Sequence, residues 1–130
     1  MRNLILLLLG IVLGAAGGAI AVNTLNRRDA YPRGIMNVMQ HRLAMLRQEI
    51  RLNRCEAKAT SATLVRLDEL AADVEPALYP DDTADAPFRE YAQRLRDTLA
   101  AATAATDCPT LASAVERIGA ACDSCHREYR

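Results

Sequence analysis

Tryptophan is absent from this chain, phenylalanine occurs once, and aromatic residues make up only 4% of the 130 positions. No segment alternates apolar with polar residues over the length of a strand, which excludes a β-sheet core. Lysine is almost missing too: Lys58 is the single one, and the other basic residues are arginines. Charge of either sign is not in excess, since 16 basic residues face 16 acidic ones. With no basic stripe and no nucleic-acid motif, nucleic acid is not expected as a partner. Histidine is scarce, at two positions, His41 and His126. Without a second C-x-x-C motif, these leave too few ligands for a four-coordinate structural zinc site.

What is present concentrates at the two ends. The last nine residues include Cys122-Asp-Ser-Cys125-His126, the C-x-x-C-H signal for covalent attachment of a c-type haem. Two thiols three residues apart on a helix face the same way, so both can add to the vinyl groups of one porphyrin. The histidine directly after them can reach the iron as an axial ligand. One covalently attached haem c is the expected cofactor.

At the other end, Met1-Arg2-Asn3 precedes a charge-free stretch from Leu4 to Val22. As a signal peptide it would use Leu4–Leu13 as its apolar core and Ala19-Ile20-Ala21 as the cleavage site. As an uncleaved anchor it would use all of residues 4–22, enough for a bilayer core of about 30 Å. Either route exports the remainder of the chain to the periplasm, free or tethered to the inner membrane. The expected organisation is therefore a leader or anchor over 1–22, a linker over 23–32 and a helical domain over 33–130.

Within that domain the apolar positions step by three and four, which predicts four helices. The first, from about Arg33 to Asn53, carries Met36, Met39, Leu43, Leu46 and Ile50. The second, about Thr60 to Val74, carries Leu64, Leu67, Ala71 and Val74, with Thr60 and Ser61 as caps and Pro76 as its stop. A loop over 76–87 holds three prolines and three aspartates. The third helix, about Pro87 to Ala105, carries Phe88, Ala92, Leu95, Leu99 and Ala102. The fourth begins at Pro109 and carries Leu111, Val115, Ile118, Cys122, Cys125 and Tyr129. Near-heptad stripes joined by short connections predict an all-α, antiparallel up-down-up-down four-helix bundle. Because Cys122 and Cys125 occupy stripe positions, the porphyrin must point into the bundle.

This topology brings Cys55 and Cys108 to one pole and the haem motif to the opposite pole, beside the start of the first helix. In an oxidising compartment such a pair is expected to form a disulfide, worth about 4 kcal/mol in the chain-entropy model. The alternative is two free, buried thiols.

The ending Cys122-x-x-Cys125-His126-x-x-Tyr129-Arg130, the opening Tyr31-Pro-Arg-Gly-Ile-Met-Asn-Val-Met39 and the four-helix pattern resemble the cytochrome c-prime superfamily. The resemblance spans residues 30–130 and includes the low-spin cytochrome c-556 type. It implies a haem near one end of the bundle with His126 as proximal ligand. Met36 matches the position that faces the iron, where c-556-like members carry a ligating methionine and c-prime members a non-ligating apolar residue. Met36 is thus the expected sixth ligand, with Met39 on the same face as its alternate; His41 falls off that stripe. Arg33 lies close to the family's propionate contact, although alignment on Met36 puts Pro32 there. Arg130 matches the basic residue near the proximal histidine.

The resemblance implies electron transfer with redox partner proteins, or, with an open iron, binding of nitric oxide or carbon monoxide. It also implies a homodimer paired through the first two helices. Catalysis is not expected, because the haem-facing stripe of the first helix offers no acid–base residue.

Overall fold

Leucines, alanines and arginines dominate the chain between its turns, and these residues lose little freedom on entering a helix. In the computed structural model, which describes residues 2–129, they build helices and no strand. Side chains of residues 1–6 and 24–29, and the whole of Arg130, lie outside the described residues. The helices are α1 (Arg2–Arg51), α2 (Ala57–Ala72), α3 (Val74–Leu78), α4 (Ala86–Ala102) and α5 (Cys108–Glu128).

The chain divides after Arg33 into two compact units. In the first, Leu7, Leu8, Leu9, Ile11, Val12, Leu13, Ile20 and Val22 are all exposed. Among the described residues, no helix is long and apolar enough to cross a membrane. The backbone is also helical through residues 23–32, where a linker is expected. Pro32 sits inside that helix and removes one N–H from its ladder.

The second unit owns the core. Met39, Leu43 and Leu46 of α1 pack with Leu64, Leu67 and Ala71 of α2, Phe88, Ala92 and Leu99 of α4, and Leu111, Val115 and Ile118 of α5. These are the positions that the three-and-four spacing marks. Ile35, Ala84, Ala105 and Ala114 join them without having been marked.

Helix ends follow from local chemistry. α1 stops at Asn53, whose φ of 51° is left-handed. There the Asn53 N–H donates to Ile50 O (3.0 Å) and the Arg54 N–H to Glu49 O (2.9 Å), the paired bonds of a Schellman motif. α2 begins three residues earlier than expected, at Ala57, and no side chain caps it. Thr60 is instead buried, its hydroxyl donating to the carbonyls of Glu56 (2.9 Å) and Ala57 (3.2 Å).

Pro76 ends α2 at a distance. Its ring would meet the carbonyl of Ala72, so the helix closes there. Placed in a first turn it is tolerated, and the chain restarts at Val74 as α3, which extends into the expected loop as far as Leu78. Asp85 caps α4, accepting from the Phe88 N–H at 2.8 Å. Asp107 and Thr110 form a reciprocal capping box at the start of α5. Cys55 and Cys108 stand at disulfide distance, their Cα atoms 5.2 Å apart.

Candidate functional site

One turn of α5 supplies the sharpest chemistry. Cys122 and Cys125, three residues apart, lie on the same helix face, and both are partly buried and free. They line a cavity of about 280 Å³ inside the second unit. His126, an exposed residue, lines it as well. Across the cavity, α1 contributes Met36 and Met39, the first partly buried and the second only 7% exposed. Leu67, Val74, Phe88 and Ile118 supply apolar wall.

The structure thus brings five candidate residues to one space: Cys122, Cys125, His126, Met36 and Met39. It leaves others outside. His41 is exposed on α1 and does not line the cavity. Arg33 belongs to the first unit, and Arg130 lies outside the described residues. Among the described residues, no three His, Cys, Asp or Glu side chains gather as a metal site.

Burial pushes the Cys122 thiol up, and the charges of Asp123 and Cys125 push the same way, while the Arg47 guanidinium partly opposes them. Burial alone pushes Cys125 up. Both thiols are therefore held protonated and uncharged at neutral pH, which suits a dry, apolar wall.

The last turn of α5 is held in place by Tyr129. Its hydroxyl donates to Asp85 Oδ1 at 2.7 Å, the carboxylate that also caps α4. Its ring meets Phe88 edge-on at 5.2 Å, and Phe88 in turn meets Tyr79 at 4.7 Å. This hydrogen bond is the main cause that raises Tyr129 to about 12 and lowers Asp85. The start of α4 and the end of α5 are tied together beside the cysteines.

Two contributors were not visible as site residues in the sequence. Arg47, exposed on α1, is one of them, and it lines the cavity. The signal that finds it is the ladder Met36, Gln40, Leu43, Arg47, a single face over three turns. Tyr91, from α4, lines the cavity too, and its position between Phe88 and Leu95 marks it only in retrospect.

A second hollow, of about 550 Å³, lies beside Cys55 and is lined by Met45, Glu49, Arg54 and Thr60 among others. It is larger but brings together no imidazole and no free thiol, so the chemistry resides in the smaller cavity. No protein-family model, curated protein or solved structure matches this chain.

Proposed function

We propose that the second unit is an up-down-up-down four-helix bundle that carries one covalent haem c and transfers electrons in the periplasm. The observation that carries this reading is that one cavity receives both thiols and the imidazole of C-x-x-C-H together with Met36 and Met39. That donor set fits the group: two soft thiols for covalent attachment, an imidazole beside them and a thioether opposite. When bound, haem supplies a one-electron couple at its iron.

The chain's own residues do the rest. Cys122 and Cys125 would fasten the macrocycle to α5, and His126 would hold the iron from that side. Met36 would hold it from α1, and its thioether favours the reduced state. Phe88, Ile118, Leu67 and Val74 exclude water from the cavity wall. At about 280 Å³ the cavity falls just short of the roughly 300–1,000 Å³ usual for small-molecule sites. A guest as broad as a porphyrin would keep an edge outside it, where a redox partner protein could reach. From α1 the lining is Met36, Met39, Gln40, Leu43 and Arg47, with neither carboxylate nor imidazole. That lining supports a carrier rather than a chain doing acid–base chemistry.

Membership of the cytochrome c-prime superfamily is part of this proposal, and the same helices support it. Residues 4–22 would serve as signal peptide or membrane anchor, and the exposed apolar side chains of the first unit support that role. Val38 and Met45 on α1 and Val65 on α2 are exposed apolar side chains, a surface on which a homodimer would form.

The optical spectrum of the haem-loaded protein tests this reading, oxidised and reduced, before and after carbon monoxide. Sharp low-spin bands that carbon monoxide barely disturbs are expected. Broad high-spin bands that shift at once with the gas would remove Met36 from the iron and make gas binding the function.

A further inference from the structure

Both free thiols among the described residues share one space with two thioethers. Cys122 and Cys125, one turn apart on α5, and Met36 and Met39 on α1 line the same cavity. The other two cysteines are paired with each other, and Met45 lines the other hollow. Residues three apart on a helix hold their Cβ atoms about 5–6 Å from one another, close enough for both sulfur atoms to close on one ion.

This set of donors discriminates between cations. The lining holds a single carboxylate, Asp123, and that residue is exposed, so the oxygen shell of a hard cation such as magnesium or calcium is missing. Among the described residues no three His, Cys, Asp or Glu side chains gather, so the four-ligand shell of zinc is missing as well. Thioethers add little for those ions but are good ligands for a soft one, and copper(I) prefers thiolate and thioether sulfur. Met39 is only 7% exposed and Cys122, Cys125 and Met36 are partly buried, which shields such an ion from water.

We propose that, before haem attachment, this cavity is a copper(I) site with Cys122 and Cys125 as thiolate ligands and Met36 and Met39 as thioether ligands. On binding, two S–H bonds break, two copper–sulfur bonds form and both protons leave to solvent. Copper stays in its +1 state, so nothing is oxidised or reduced. Burial holds both thiols protonated, and the ion must therefore displace the protons, as a thiophilic cation does. The site stands on these donors without any haem. Haem attachment would consume the same two S–H groups by adding them across two vinyl groups, so the two occupants exclude one another. That consequence alone rests on the proposed haem reading.

The test uses the full chain produced without haem attachment, kept reduced and free of air. Copper(I) is titrated in against bicinchoninate, a chelator that colours on taking the ion. The chain should withdraw one ion from the chelator, with thiolate-to-copper absorption in the ultraviolet levelling off at one equivalent. Cys122→Ser/Cys125→Ser should lose the ion, and Cys55→Ser/Cys108→Ser should keep it. Met36→Leu/Met39→Leu, a swap of nearly equal volume, should weaken binding about tenfold or more, whereas Met45→Leu should leave it unchanged. Circular dichroism checks the helices of each variant; where the double methionine change lowers helicity, Met36→Leu alone carries the comparison. Zinc(II) should not displace the bound copper.

Copper(I) that stays with the chelator would overturn the site. Binding that survives in Cys122→Ser/Cys125→Ser, or is lost in Cys55→Ser/Cys108→Ser, would overturn its location. Binding indifferent to the methionines would reduce it to an ordinary dithiol and overturn the cavity assignment, and displacement by zinc(II) would overturn the choice of ion. None of these outcomes bears on the haem reading, which the spectrum of the haem-loaded protein decides.

Discussion

Met36 and Met39 line the same cavity three residues apart, but solvent reaches them differently, and this separates their roles. Met39 is 7% exposed and packed in the core, so Met39→Ala should cost about 2–5 kcal/mol of stability and, on the proposed haem reading, leave the optical spectrum low-spin. Met36 is only partly buried, and Met36→Ala should do the opposite: a smaller loss on denaturant unfolding and conversion to a high-spin, gas-reactive iron. The reverse pairing would exchange the two assignments. Asp85 and Tyr129 allow a second residue-scale prediction. Asp85 is lowered by the Tyr129 hydroxyl and the Phe88 N–H, so its contribution is present above the ordinary carboxylate value and is lost as pH falls below it. Tyr129 is raised to about 12, so its contribution is present below the ordinary phenol value and fades as pH climbs towards 12. In Tyr129→Phe, melting temperature should fall near neutral pH, and both the acid and the alkaline limbs of its pH dependence should flatten.

At the scale of elements, α1 ends because Asn53 accepts a left-handed conformation that few other residues tolerate. Asn53→Val should cost about 1–2 kcal/mol in denaturant unfolding, whereas Asn53→Gly should hold or raise stability. The helices themselves are legible from sequence because burial follows helical geometry: Leu64, Leu67, Ala71 and Val74 all lie inside, at the spacing that puts them on one face. Helix ends are less legible. Thr60 reads as a cap yet is buried against the Glu56 carbonyl, because a hydroxyl can satisfy itself one turn back within a helix as well as at its start. Pro76 reads as a stop and α2 does close before it, but the same ring is admissible in a first turn, so α3 starts at Val74 and runs into the expected loop as far as Leu78. The two cysteines and His126 are legible as a site from their spacing alone. Arg47 is not, because sequence periodicity marks apolar positions, and an arginine whose charged head stays at the rim carries no apolar signal.

At the scale of the whole molecule, the disulfide pair and the cavity that holds Cys122, Cys125 and His126 fall at different places in the second unit. Cys55 and Cys108 meet where α1 has ended and α5 begins, whereas Met36, Cys122 and His126 meet in the cavity formed by the start of the second unit and the end of α5. Leu64, Leu99 and Leu111, none of which lines the cavity, are almost completely buried in the same apolar core. A bridge at sequence separation 53 removes freedom from the unfolded chain, about 4 kcal/mol in the chain-entropy model. Neither of its cysteines lines the cavity. The double variant Cys55→Ser/Cys108→Ser should therefore lose about that much stability and, on the proposed haem reading, keep the optical spectrum and reduction potential of the parent. Stability and potential measured on the same preparation decide the point. A potential that moves with loss of the bridge would show that the two regions are mechanically coupled, and that the apolar core transmits strain to the proposed haem site.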